Sequence, residues 1–314
     1  MPIAISEMPI RCWNKRGSKA QSAMEYLMTY GWAILVIAIV LGVLYYLGVF
    51  NSANLTPRAQ PGSCRIFRPD GPGTNFDVGL SGTCNGELPQ YVAKFDGQAS
   101  YVSTSLSPSA VNTPITISGW VYAPNNPASY MGYFGWRSTD SVPGSGDFYV
   151  LQLSGTNYLE LRFQNSAGTQ YDYEGGNAVS VIPDSWNFLA FTYDGSQIIA
   201  YVNGKAYAPI PATGTFGAGT QSPFTIGCQD ELGAIVNCAN AMISNVQVYN
   251  TSLSQNSISA LYAEGIGGAP IDQNNIVGWW PLNGNTHDYS GNLDNGAPAN
   301  IVFTSTWASG YAQP

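Results

Sequence analysis

The stretch NFLAFTYDGSQIIAYVNGKAY, residues 187–207, decides the fold. Three short runs rich in aromatic and β-branched residues are separated by Asp194-Gly195 and Asn203-Gly204. Both dipeptides supply the positive φ that two-residue hairpin turns need, so three antiparallel strands are expected here. Working outward, similar runs between turn residues are expected to form strands at 91–95, 100–104, 115–122, 148–153, 158–163, 188–193, 198–202, 224–226 and 243–249. One helix is expected at 254–264, ending at Gly265 with Ile258, Leu261 and Tyr262 on one face. Many regularly spaced strands and one helix imply a mainly β chain built as an antiparallel sandwich.

Four segments carry a resemblance. They are YVAKFDGQASYVST (91–104), TISGWVY (116–122), SWNFLAFTYDGSQIIAYVNG (185–204) and ISNVQVYNTSLSQNSISALYAEG (243–265). Phe95-Asp96-Gly97 before a Tyr-Val strand, Gly119-Trp120 in a central strand and Trp186 before the Thr-Tyr-Asp-Gly hairpin resemble the laminin G-like, concanavalin A-like lectin/glucanase sandwich. The resemblance implies a jelly roll over residues 90–314 and says little about ligand, since this fold carries lectins, adhesive modules and glycosidases. VGWWPLNGNTHDYSGNLDNG, within 276–296, resembles the segment that opens such domains, yet here it follows the helix. Either the sandwich is permuted, with this strand in its usual place, or a second repeat begins and is cut short. Only 39 residues follow Asn275, too few to bury a separate core, which favours permutation.

The N-terminal end has a different character. Arg11, Lys15, Arg16 and Lys19 precede an apolar run at 27–50, in which 24 residues make a helix of about 36 Å. That length crosses a bilayer, and the basic residues keep the N-terminus cytoplasmic. The polar break Ala20-Gln21 precedes the apolar run, whereas a secretory signal is cut after it. Lys19, Ala20, Gln21 and Glu25 resemble the class III signal peptide of archaeal type IV pilins. The resemblance implies a cleaved basic leader (1–20), cut between Ala20 and Gln21 by a prepilin-type peptidase, and a transmembrane or assembly helix (21–50). Glu25, a carboxylate at the start of an apolar helix, needs a partner in lipid. The new amino group of Gln21 would supply one on its own or a neighbouring subunit. Like subunits would then pack through this helix. The protein is expected at the membrane as a single-pass chain with an extracellular C-terminal domain, or in an extracellular filament.

Beyond Phe50 the chain carries 17 acidic and 7 basic residues. That balance excludes nucleic acid and polyanions as partners. Residues 51–89, with Pro57, Pro61, Gly62, Pro69, Gly71, Pro72 and Gly73, are expected to form a stalk containing a cysteine pair. Cys12 falls in the leader, leaving Cys64, Cys84, Cys228 and Cys238. An even number in an exported domain implies disulfides. Three connectivities are open, and the nearest-neighbour one is Cys64–Cys84 with Cys228–Cys238. The spacings lack the paired knuckles of a zinc site. Asn54 and Asn250 each begin an N-glycosylation sequon.

Candidate chemistry is sparse. Glycosidases of this fold resemble one another in carrying Glu-x-Asp-x-Glu on one strand face, which this chain lacks; Asp172-Tyr173-Glu174 comes nearest. His287 is the single histidine, with no nucleophile pattern beside it. No catalytic residue is therefore assigned, and a binding protein is expected rather than an enzyme. No cofactor is assigned, and calcium is the one left open. Asp288, Ser290, Asn292 and Asp294 place oxygens at alternate positions, suited to calcium or to an Asx-type turn. Tyr130, Tyr133, Trp136, Tyr171 and Tyr173 are the aromatic candidates for stacking on sugars. The expected role is a surface adhesin or pilin-like subunit whose lectin-like domain binds cell-surface or environmental glycans; the alternatives are a monomeric membrane-anchored polysaccharide- or solute-binding protein and, behind it, an anchored glycosidase.

Overall fold

The computed structural model describes residues 30–43, 64–67, 75–78, 89–111, 113–138, 146–174, 178–216 and 222–307. The chain divides into two compact units, Met1–Pro57 and Arg58–Pro314. In the first, residues 30–43 form an exposed helix, about 21 Å long at 1.5 Å per residue. Among the described residues no helix is long and apolar enough to cross a membrane. The remainder of the expected span, residues 21–29 and 44–50, lies outside the described residues, as do Ala20, Gln21, Glu25 and Asn54.

The second unit holds two large antiparallel sheets. One has nine strands, in the order Lys205–Ala206, Gln197–Val202, Ser185–Tyr193, Ile115–Ala123, Met242–Tyr249, Val92–Lys94 and Val302–Thr304. Ile210–Pro211 adds to Gln197–Val202, and Ile276–Trp280 adds to Met242–Tyr249. The other has eight strands, in the order Val179–Ser180, Tyr158–Gln164, Phe148–Gln152, Met131–Trp136, Thr225–Ile226, Tyr101–Ser103 and Ala297–Ala299, with Gln170–Tyr173 beside Tyr158–Gln164. Among the described residues there are also two small hairpins, Cys64–Phe67 with Asn75–Val78 and Gln229–Glu231 with Ala234–Val236.

The opening stretch behaves differently at its two turns. Val202 pairs with Lys205 across Asn203 (φ 51°) and Gly204 (φ 76°), the left-handed pair that the strand twist favours. At the other turn Tyr193 pairs with Ile198 and the Asp194 N–H donates to the Gln197 carbonyl at 3.2 Å. Its central pair is Gly195-Ser196, one residue later than expected. The Asp194 carboxylate explains the shift, because it accepts the Ser196 and Gln197 amides at 2.8 and 2.9 Å and belongs to the strand side of the turn.

Alternation along the strands builds the core between the sheets. Phe148 of the eight-stranded sheet stacks on Phe191 of the nine-stranded sheet with centroids 4.4 Å apart. Trp136 and Phe224 meet edge-on at 4.8 Å. The nine-stranded sheet also carries apolar side chains on its other face. There Trp120, Trp186, Phe188 and Tyr201 pack with Ile258 and Leu261 of the helix Gln255–Glu264. The Ser254 hydroxyl caps that helix by accepting the Ser257 N–H, and Gly265 (φ 83°) ends it. This second apolar layer is why Ile115–Ala123 and Ser185–Tyr193 are buried along almost their whole length rather than at alternate residues.

Ile276–Trp280 lies antiparallel to the second half of Met242–Tyr249, end to end with Val92–Lys94 along the same edge. Trp280 and Leu282 are wholly buried in the core between the sheets. Trp280 stacks on Phe224 at 5.3 Å, and its indole N–H donates to the Asp294 carbonyl at 2.9 Å. Trp280→Ala removes a large buried ring and an anchored hydrogen bond, so it is expected to destabilise this unit by about 3–5 kcal/mol. Denaturant unfolding of the two proteins checks this; an unchanged midpoint would show that the strand packs elsewhere.

Candidate ligand-binding face

The eight-stranded sheet turns its polar side outward. Leu159, Leu161 and Phe163 enter the core, so Glu160 and Arg162 must point the other way. Tyr149 is the Cα partner of Arg162, and Asp172 faces Arg162 from the next strand. Arg137 follows the Met131–Trp136 strand directly. Glu231 comes from the Gln229–Glu231 hairpin, which lies over that strand: the Gly132 N–H donates to the Asn237 carbonyl, and Gly132 bridges to Cys238.

These side chains form one network. Arg137 Nε donates to Glu231 at 3.1 Å, and its Nη1 donates to the Tyr149 hydroxyl at 2.6 Å. The Tyr149 hydroxyl donates to Glu160 at 2.5 Å. Arg162 pairs with Glu160 at 2.8 Å and with Asp172 at 3.6 Å. Both guanidinium carbons stand over the Tyr149 ring, at 5.1 and 5.9 Å from its centroid. Burial, reinforced by the Glu160 charge, pushes the Tyr149 hydroxyl well above its ordinary value, so it remains a protonated donor. Burial also raises the Asp147 carboxyl, against hydrogen bonds from the Ser138 N–H and hydroxyl and the positive charge of Arg137. Four carboxylates, Asp147, Glu160, Asp172 and Glu231, thus surround two guanidinium groups.

Two glycines permit this arrangement. A side chain at Gly132 would strike Gln229 under the hairpin. One at Gly135 (φ 141°) would strike Tyr149 and the backbone of its strand. The same glycines hid the Met131–Trp136 strand from the sequence reading, because MGYFGW lacks the β-branched residues that mark strands. The network itself was missed as well. Its legible signal was Glu160-x-Arg162 opposite Tyr149, polar residues at a two-residue spacing within otherwise apolar strands.

The aromatic candidates fall differently from the expectation. Tyr133, Trp136 and Tyr173 are buried and belong to the core, so they cannot offer rings to a sugar. Their strands turn these rings inward, where the gap between the sheets needs large side chains. Tyr171 is half-buried and stacks on Phe163 at 5.9 Å. Tyr130 alone of the five is exposed, at 49%.

The Asp288 loop holds itself together. The two Asp288 carboxylate oxygens accept the Trp279, Ser290 and Asp294 amides and the Ser290 hydroxyl at 2.8–3.0 Å. Asn292 donates to the Val277 carbonyl, and Asp294 accepts the Ser105 hydroxyl. His287 is exposed, and Asn250 is half-buried at a strand end. Among the described residues no group of three His, Cys, Asp or Glu is arranged to hold a metal ion. Cys228 and Cys238 form a disulfide that closes the Gln229–Val236 hairpin. Cys84 and the side chain of Cys64 lie outside the described residues.

Residues 96–259 match the family model described as the concanavalin A-like lectin/glucanases superfamily, 164 of 314 residues. The chain belongs to that superfamily. The match stops at Ser259, before Ile276–Trp280 and the two strands that follow. No curated protein matches the chain. Among solved structures it is similar to a candidate carbohydrate-binding protein from Bacteroides ovatus, at 16% identity and TM-score 0.51, over 69% of this chain and 60% of that one. It spans, therefore, only part of that protein's length. It is also similar to a heptameric SAP-like pentraxin of Limulus polyphemus (12% identity, 68% of this chain and 94% of that one, TM-score 0.48). A third is the carbohydrate-binding module of a Ruminococcus gnavus sialidase, solved with α2,3-sialyllactose (15%, 56% and 100%, TM-score 0.44). At these identities the likeness is one of fold.

The disulfide spans 10 positions in sequence, and closing so short a loop is worth roughly 3 kcal/mol in the chain-entropy account. Replacing Cys228 and Cys238 together by Ser is expected to lower stability by up to that amount. It should also speed hydrogen exchange at the Gly132 amide, whose acceptor is in the hairpin. Retained protection at Gly132 would show that the hairpin stays down without its clasp.

Proposed function

We propose that this chain is a surface-displayed glycan-binding protein of pilin type. The basic leader is removed between Ala20 and Gln21, the 21–50 helix anchors the chain or packs with like subunits, and the lectin-like unit works outside the cell. Three things support the reading: membership of a lectin superfamily, the polar break placed before the apolar run, and the Tyr149 network. That network is the observation that carries it. The part-exposed members of the network, Arg137, Arg162, Asp172 and Glu231, offer donors and acceptors to vicinal hydroxyls, held in orientation by the buried Tyr149, Glu160 and Asp147 before a ligand arrives. Four carboxylates against two guanidinium groups disfavour an acidic ligand there. The ligand class that fits is a neutral, polyhydroxylated saccharide.

Full-length protein in detergent micelles, applied to an array of neutral oligosaccharides, is expected to retain at least one. Arg162→Met should weaken that binding about tenfold, the cost of losing a charge-assisted contact and disturbing Glu160. Retention of acidic glycans alone, or indifference to Arg162→Met, would sink the reading; release of reducing sugar would show a hydrolase instead. Amino-terminal sequencing of the protein from its native membrane tests the pilin half: Gln21 first is expected, and an intact leader would leave a plain membrane anchor.

A further inference from the structure

On the opposite side of the sandwich a shallow groove of about 370 Å³ opens on the outer face of the nine-stranded sheet. Its floor is a cross-strand row, in which Tyr122 pairs with Met242 and Met242 with Lys94. Asn240, Pro124, Thr304 and Thr306 line it further. Edge contact with Trp186 at 6.0 Å holds the Tyr122 ring, and Trp186 in turn meets Trp307 at 6.0 Å. The polar groups here differ from those of the Tyr149 network. Among the described residues no hydrogen bond or ion pair engages the Lys94 ammonium, the Tyr122 hydroxyl or the Asn240 carboxamide. An amine, a phenol and an amide converge on one opening beside an aromatic ring and a thioether, with their hydrogen bonds uncommitted.

We propose that this groove is a second ligand site, and that it takes a single carboxylated sugar of the hexuronate class. The Lys94 ammonium meets the carboxylate. Asn240 and the Tyr122 hydroxyl meet ring hydroxyls, while the Tyr122 ring and Met242 lie against the apolar C–H face of the sugar. Tyr122 stays protonated, because burial and the nearby Asp184 charge both push its hydroxyl up. The formal net charge of −8 repels a polyanion but scarcely a monoanion, since beyond about 8 Å that repulsion is screened at physiological salt. The two sites thus differ in ligand charge: neutral at the Tyr149 network, singly negative here.

Ligand-observed NMR on the full-length protein in micelles tests this, with sodium glucuronate and glucose as probes. Glucuronate is expected to bind at millimolar concentration, to weaken roughly tenfold in Lys94→Met and to weaken as salt is raised. Glucose should not displace it. Tyr122→Phe, which keeps the ring, should weaken it less than Lys94→Met. Arg162→Met should leave glucuronate binding unchanged, while Lys94→Met leaves retention of neutral oligosaccharide unchanged, so the two sites fail separately. Lys94 is exposed, and an unaltered thermal midpoint confirms that the variant is folded. Absence of glucuronate binding, indifference to Lys94→Met, or full competition by glucose would each overturn the proposal.

Discussion

The antiparallel register between Phe148–Gln152 and Tyr158–Gln164 is the constraint on which the rest depends. With Val150 opposite Leu161 and Tyr149 opposite Arg162, every large apolar ring on these strands enters the core and every charge leaves it. A slip of one residue would turn Glu160 and Arg162 into the apolar core and turn Phe163 and Leu161 out of it. Burying two charges without water costs several kcal/mol each. The register therefore does two things at once: it fills the gap between the sheets and it assembles the polar face.

Much of the fold was legible because it follows from local chemistry. Asn203-Gly204 forms its turn where expected, and the helix at 255–264 has the Ser254 cap and Gly265 stop that a sequence can display. Strand ends moved by up to three residues, as in Ser185–Tyr193, since apolar periodicity marks the middle of a strand better than its end. What escaped were pairings whose reason is tertiary. Met131–Trp136 is rich in glycine because the hairpin packs over Gly132 and the backbone at Phe148 and Tyr149 crowds Gly135. Ala297–Ala299 and Val302–Thr304 are edge strands of three residues each, with almost no pattern to read.

The candidate site was much less legible, and the reason is general to sandwiches. Aromatic residues are the natural guess for a sugar platform, yet the core needs large rings more than the surface does. Tyr133, Trp136 and Tyr173 went inside for that reason. The residues that turn away from the core are Arg137, Tyr149, Glu160 and Arg162, contributed by two strands and the residue that follows a third. No linear motif gathers them, because the sheet does.

The two faces of the unit also differ in kind. The nine-stranded sheet is covered on part of its outer side by the helix and by Trp307, which leaves the Lys94 groove at one edge. The disulfide-closed hairpin lies over part of the eight-stranded sheet, whose charges are tied to one another before any ligand arrives. The central claim is that this second face receives the neutral glycan. Hydrogen exchange of the full-length protein, with and without a neutral oligosaccharide that it retains, tests this most directly. The account predicts added protection in the strands Phe148–Gln152 and Tyr158–Gln164 and in the hairpin that carries Glu231. Protection confined to the strands around Lys94, Tyr122 and Met242 would contradict it.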